Sequence, residues 1–357
     1  SHPALRRLSW HASRLLFEHH DYPAHQIRLW PTTEALLGED AGLFYLLLAL
    51  DAMPRMRATH RALGVPAEVS RAGGSHFTES SRIYRLNHEG RWGFEPRVLY
   101  WLRNHTTGQL FRLGRFDYMV RPFCAYVHVY RHAATGRTVA LAADRLQFDP
   151  AGYLRGEWTA PEEVWTASFS LDDEAVTGVV ISPEGRARSG LVCLKRTAWQ
   201  PVLRPGDPVA EVHIPAGGQM TLEACAESLR SARVFFPRYL PDRPFRAFSC
   251  LSWIMNPELA EWYGAATNLA RLQREGYLFP ISSSGRDGLY FIFGQDSIDP
   301  AVAPGDTSIR RAMIARLAAG LPLRAGGWFL LPEEMPRFGS QPYLGPAAEP
   351  LPDALGG

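Results

Sequence analysis

The chain has 357 residues, 46% of them hydrophobic and 21% charged, which is an ordinary globular composition with room for one large domain or two smaller ones. Its 38 basic and 36 acidic residues leave a formal charge of +2, which argues against a nucleic-acid binder held by bulk charge. Lys195 is the single lysine, so 37 of the 38 basic residues are arginine, as GC-rich codon usage would give.

The first part reads as helical. Residues 34–52 (EALLGEDAGLFYLLLALDA) are dense in leucine and are expected to end before Pro54. Residues 58–64 and 66–71 continue that character, and 97–104 (RVLYWLRN) puts Val98, Trp101 and Leu102 on one helical face. The texture changes at Gly108. Residues 109–120 (QLFRLGRFDYMV) alternate as a half-buried strand does, with Arg112 and Arg115 on one side. Strands at 126–130 and 138–142 flank Ala133-Ala134-Thr135-Gly136, a hairpin turn. Residues 145–207 suggest short strands at 166–171, 178–181 and 191–195.

From Pro208 the signals sharpen. A short strand at 209–214 (VAEVHI) runs into Pro215-Ala216-Gly217-Gly218-Gln219-Met220, and Thr221 is placed to cap a helix running to about Tyr239. A strand at 245–255 follows, then helical pieces from Pro257 and over 268–275, strands at 277–281 and 289–293, a helix at 308–319, and a strand at 326–331. The tail after Glu334 is rich in Pro, Gly and Ala and reads as loop or disorder. The order predicts a mixed α/β, or α+β, fold.

Cys124, Cys193, Cys225 and Cys250 form no CxxC pair or metal-ligand spacing, so buried free thiols in a reducing cytoplasm and no metal are expected. The longest apolar run, 43–53, is about half of the ~20 residues a membrane span needs. No apolar signal segment opens the sequence, so a cytoplasmic location is expected.

The segment with chemistry in it is 209–229. A strand entering a glycine loop that opens on a helix aims free N–H groups and the positive end of the helix dipole at one point. That suits an anion, and Gly217 and Gly218 let the backbone approach one closely. The P-loop lysine and the GxGxxG pattern are both absent, so a pyrophosphate such as that of coenzyme A fits better than a mononucleotide loop.

This order of elements resembles the GNAT acyltransferase superfamily. Residues 101–115, 206–221, 223–236, 245–261 and 306–329 resemble bacterial acyltransferases that join an N-acyltransferase N-terminal domain to a GNAT-like C-terminal domain. Cys250-Leu251-Ser252-Trp253 stands where many such chains carry CHSW. The resemblance implies a GNAT-like, mostly antiparallel sheet flanked by helices after a helical N-terminal part. It implies an acceptor-side domain over 1–205, a coenzyme-binding domain over 206–335, and a tail over 336–357. The implied activity is transfer of an acyl group, fatty acyl in the favoured reading, from acyl-CoA or an acyl-carrier protein to an amine on a peptide or small metabolite, with natural-product peptides one possibility. No nucleic acid takes part.

On this reading His213 is the candidate general base, since a free imidazole titrates near 6.5. Glu211, two residues earlier on the same face, acts directly or through water, and Ser252 reprotonates the leaving thiolate. Val212, Ile214, Ala216, Gly217, Gly218, Gln219, Met220 and Thr221 form the coenzyme loop, with Asn268 and Arg271 as further contacts. Arg112 and Arg115 are candidates for an acidic acceptor or partner, or for carboxylate pairs on a sheet surface. The alternatives are a non-catalytic thioester-binding module and a hydrolase using Cys250 or Ser252.

Overall fold

A computed structural model describes residues 2–17 and 34–344. The chain divides into two compact units. Unit 1 takes residues 1–119, 213–218 and 231–242; unit 2 takes 120–212, 219–230 and 243–357.

Unit 1 is the helical part. Among the described residues up to 119 its helices are α1 (Pro3–Phe17), α2 (Glu34–Leu37), α3 (Ala41–Ala62), α4 (Ala67–Asn87) and α5 (Pro96–Thr106). On α3, Tyr45, Leu48, Ala49, Ala52 and Met56 recur at helical spacing and are buried. Tyr45, Leu48, Ala49 and Met56 pack with Ala12, Phe77, Phe94, Leu99 and Leu102 in one core. The helix does not stop before Pro54 as expected, but passes through it. Pro54 is exposed, so its ring meets no core, and packing of the opposite face offsets the missing hydrogen bond.

The single strand expected over 109–120 is instead a hairpin of β1 (Leu110–Leu113) and β2 (Phe116–Pro122). Periodicity missed the reversal because Gly114, at φ +71°, turns the chain without interrupting the alternation. The hairpin opposes Arg112 to Asp117. Arg112 Nε donates to Asp117 Oδ1 at 2.9 Å, and Arg112 Nη1 donates to Ser75 Oγ at 2.6 Å and Glu79 Oε1 at 3.0 Å. His76 Nε2 lies 2.6 Å from Asp117 Oδ2. Burial pushes the Asp117 carboxyl up, but hydrogen bonds from His76 and Arg112 outweigh it and hold the group well below the usual carboxylate range. Arg112 is therefore one partner in a buried ionic cluster, not a sheet-surface cation.

His105 stands beside that cluster, its ring 4.9 Å from that of His76. Burial first, then repulsion from His76, pushes its pKa down to about 3. An unfolded imidazole takes its proton near 6.5. Between these values the unfolded chain binds more protons, so stability falls as pH drops through that window. Urea unfolding from pH 7 to pH 5 should show His105 contributing up to ~1.4 kcal/mol per pH unit. The His105→Gln variant should lose that slope; equal slopes in both proteins would contradict the assignment.

Unit 2 opens with β3 (Val127–His132), β4 (Thr138–Ala142), β5 (Gln147–Phe148), β6 (Trp165–Thr166), β7 (Phe169–Leu171), β8 (Ala175–Ile181), β9 (Ala187–Lys195) and β10 (Trp199–Leu203). The order β10-β3-β4-β8-β7, with β9 also on β8, is antiparallel throughout. The expected β3–β4 hairpin is present. After it come β11 (Pro208–His213), α6 (Leu222–Tyr239), β12 (Ala247–Ser252), α7 (Leu259–Trp262), α8 (Asn268–Arg274), β13 (Tyr277–Pro280), α9 (Leu289–Phe293), α10 (Ser308–Ala318) and β14 (Gly326–Leu330). In the second sheet β12 pairs with β11 in parallel and with β14 antiparallel, and β14 also pairs with β13.

The two sheets of unit 2 share a core in which Val127, Val129, Ala140 and Ile181 meet Val209, Phe279 and Phe329. Tyr277 ties them together, its hydroxyl donating to Ile181 O at 2.5 Å and accepting from Ala140 N at 3.3 Å. Residues 289–293 are helix α9, not the expected strand. Gly288 (φ +92°) and Gly294 (φ +75°) bracket one helical turn, and a short apolar run has no periodicity to separate helix from strand. The segment after Glu334 also packs: Tyr343 Oη accepts from Leu331 N at 2.9 Å, and its ring meets Tyr277 and Phe329. The remaining tail, 345–357, lies outside the described residues. The fold is mixed α/β, with a helical N-terminal part and mostly antiparallel sheets, as the resemblance implies.

Candidate active site

The ladder between β11 and β12 covers Val209↔Ala247, Ala210↔Phe248 and Glu211↔Ser249. Beyond it β12 continues to Ser252, and Cys250, Leu251 and Ser252 pair only with β14 on their other side. The parallel pair thus parts at its C-terminal end. In sheets with parallel strands, ligands collect at such ends, where backbone groups are not consumed by the ladder.

β11 leads into the loop over 214–221. Ala216, Gly217, Gly218 and Gln219 are exposed, Ile214 is half-buried, and Val212 and Met220 are buried. Gly217 and Gly218 adopt φ +77° and +71°, a conformation L side chains rarely take. The space a side chain on Gly217 would fill is open. Thr221 caps α6, its Oγ1 accepting from Ala224 N at 3.3 Å, as its place before an apolar-periodic run predicts. The loop is therefore a backbone-lined approach to a helix N-terminus.

Arg115 belongs to this loop. Its Nη1 donates to Pro215 O at 3.0 Å, and its Nε lies 3.7 Å from where a Gly218 Cβ would stand. A guanidinium beside exposed backbone N–H groups adds the charge that a phosphate would need. Sequence reasoning singled out Arg115 for an acidic acceptor; no local signal could place it against a loop 100 residues away.

His213 is half-buried, and its ring meets Trp101 edge-on at 4.6 Å and 77°. Glu211 is half-buried two residues earlier on β11. Ser252 Oγ accepts from Ile254 N at 3.3 Å, closing the turn after β12 and leaving its own proton to donate. Burial, with the charge of Glu211 second, pushes the Cys250 thiol up. A neutral, buried thiol is a poor nucleophile, which argues against Cys250 in that role. Asn268 and Arg271 are exposed on α8, and no hydrogen bond or ion pair joins them to the loop among the described residues. Nor do the described residues hold a group of three or more His, Cys, Asp or Glu able to bind a metal, or a helix long and apolar enough to cross a membrane.

Comparison with solved structures finds the same fold in three complexes of an acyltransferase. One holds decanoyl-CoA and teicoplanin, at 21% identity and TM-score 0.60, covering 92% of this chain and 78% of that one. Another holds CoA and 10C-teicoplanin, at 22% identity and TM-score 0.60 over the same shares of 92% and 78%. The third holds decanoyl-CoA, at 22% identity and TM-score 0.58, with shares of 92% and 79%. No match was found among curated proteins. Residues 1–108 match the N-acyltransferase N-terminal domain family, and residues 110–329 match the GNAT-like C-terminal domain family. The chain therefore belongs to the acyltransferases that combine an N-acyltransferase N-terminal domain with a GNAT-like C-terminal domain.

Proposed function

We propose that the protein transfers a fatty acyl group from acyl-CoA to an amine on a peptide or small natural product. The observation that carries this reading is the β11–glycine loop–α6 unit, set where β11 and β12 part. The open space over Gly217, the positive φ of both glycines and the adjacent Arg115 suit a pyrophosphate. The unpaired side of Cys250–Ser252 could accept the amide groups of a pantetheine arm in the manner of an added strand. The acyltransferase of like fold bound to decanoyl-CoA and teicoplanin supports both the donor and a peptide acceptor.

His213 is the base in this reading. It takes a proton from the acceptor nitrogen as that nitrogen attacks the thioester carbonyl. The C–N bond forms, the C–S bond breaks, and Ser252 supplies a proton to the departing thiolate and regains one, through water, from protonated His213. Glu211 holds or relays the proton through water. Asn268 and Arg271 contact the donor from α8. No covalent enzyme intermediate is required.

The test is acceptor-dependent release of free CoA from decanoyl-CoA, with the acyl mass appearing on an amine-bearing glycopeptide. Decanoyl-loaded carrier protein serves as the second donor arm. Release without acceptor would point to a hydrolase, and binding without release to a non-catalytic module. Gly218→Val should raise KM for acyl-CoA about tenfold with a smaller change in kcat, since a β-branched residue at that φ costs ~1–2 kcal/mol and crowds Arg115. An unchanged KM would move the pyrophosphate elsewhere.

A further inference from the structure

A cavity of about 620 Å³ opens within unit 2, lined by the turn over 182–188, by Pro257, Ala260 and Glu261, and by one face of α8. None of its lining residues belongs to the candidate acyl-transfer set. Its walls are fixed by the backbone. Ser182 N donates to Arg186 O at 2.8 Å and Gly185 N to Ser182 O at 2.8 Å, while Leu278 N on β13 donates to Pro183 O at 3.0 Å. The shape therefore exists before any ligand arrives.

Two deeply buried polar side chains line it with unused hydrogen-bonding capacity. Ser182 is 4% exposed and Gln273 2%. Gln273 commits its amide nitrogen to the carbonyls of Ile254 (2.6 Å) and Asn256 (2.9 Å), which leaves its amide oxygen as an acceptor. The Ser182 hydroxyl and that oxygen make no hydrogen bond among the described residues. Neither atom is among the fully buried polar atoms without a partner, so both face the cavity, open to water or to a ligand that enters it.

The charged lining sets the sign of that ligand. Arg186 is paired with Glu261. Arg188 stands 4.0 Å from Glu184, beyond hydrogen-bond reach, and Arg274 makes no ion pair among the described residues. Two guanidinium groups with donors to spare surround a wall of proline, alanine and Leu278. Guanidinium forks match planar or tetrahedral oxyanions. A hydroxyl on the ligand would satisfy Gln273 and Ser182.

We infer that this cavity is a second binding site, distinct from the acyl-transfer site, for a small hydroxylated oxyanion such as a sugar acid or sugar phosphate. The acid group lies between Arg188 and Arg274, and the hydroxyls reach Ser182 and Gln273. Free carboxylate and phosphate share this chemistry, and the experiment separates them.

Isothermal titration of the full chain with gluconate, glucose 6-phosphate and glucose is the test. Saturable heat is expected from at least one of the two anions and none from glucose at the same concentration. Gluconate alone identifies a carboxylate ligand, and glucose 6-phosphate alone a phosphate. Arg274→Gln should weaken binding at least about tenfold, the loss of one charge-assisted hydrogen bond, and Ser182→Ala by a few-fold. Both variants should melt and transfer acyl groups as the parent does, which shows that they fold. No saturable heat from either anion, equal binding of glucose, or parent-like affinity in Arg274→Gln overturns the site.

Discussion

Replacing Asp117 with alanine is expected to cost about 3–5 kcal/mol of unfolding free energy, enough to leave much of the protein unfolded at moderate temperature. The carboxylate is 1% exposed and accepts from both Arg112 and His76. Removing it leaves the buried Arg112 guanidinium to Ser75 and the more exposed Glu79. The loss comes mainly from that stranded charge rather than from the bond itself. The double variant Arg112→Met, Asp117→Leu removes both charges and keeps the volume, so it should recover most of the stability. Asp117→Asn keeps an acceptor oxygen and should fall between. Urea unfolding of the four proteins gives the comparison. A loss below about 1 kcal/mol in Asp117→Ala would mean that the cluster is solvated rather than buried.

That cluster also marks where reading the sequence stops. Elements built on local rules are legible. Thr221 caps α6, and Thr307 caps α10, its Oγ1 accepting from Arg310 N at 3.3 Å. The β3–β4 hairpin follows from alternation around a glycine turn. The loop over 214–221 is legible for the same reason, since a glycine pair supplies the positive-φ turn between a strand and a capped helix. What brings distant residues together is not local. His76, Arg112 and Asp117 come from α4 and both strands of a hairpin whose turn the alternation concealed. Arg115 reaches Pro215 across 100 positions. Pro54 reads as a stop because propensity counts the lost hydrogen bond and not the core contacts of Ala52 and Met56. The cavity wall joins residues from 151 to 344, and no spacing rule spans that range.

In the proposed mechanism His213 is the base. If it is the base, His213→Gln should lower kcat by about 10²–10³-fold, the usual contribution of a positioned proton acceptor, with KM for acyl-CoA little changed. Glutamine keeps a similar length and a polar head, so the edge contact with Trp101 is only partly lost and the fold should persist. Without an internal base the acceptor ammonium must lose its proton to bulk water. The rate of the variant should then follow the free-amine fraction, climbing about tenfold per pH unit up to the pKa of the acceptor, whereas the parent, with its own proton acceptor, should depend on pH less steeply. Acceptors of graded basicity would shift the variant profile and leave the parent limb in place. Glu211→Gln provides the comparison. A loss in that variant equal to or larger than in His213→Gln, or a parent-like pH profile in His213→Gln, would transfer the base to the carboxylate two residues earlier on β11. Trp101→Ala separates chemistry from placement. It removes the ring that the imidazole rests against, so it should lower kcat by a smaller factor while keeping the parent shape of the pH profile, because the proton acceptor is still there.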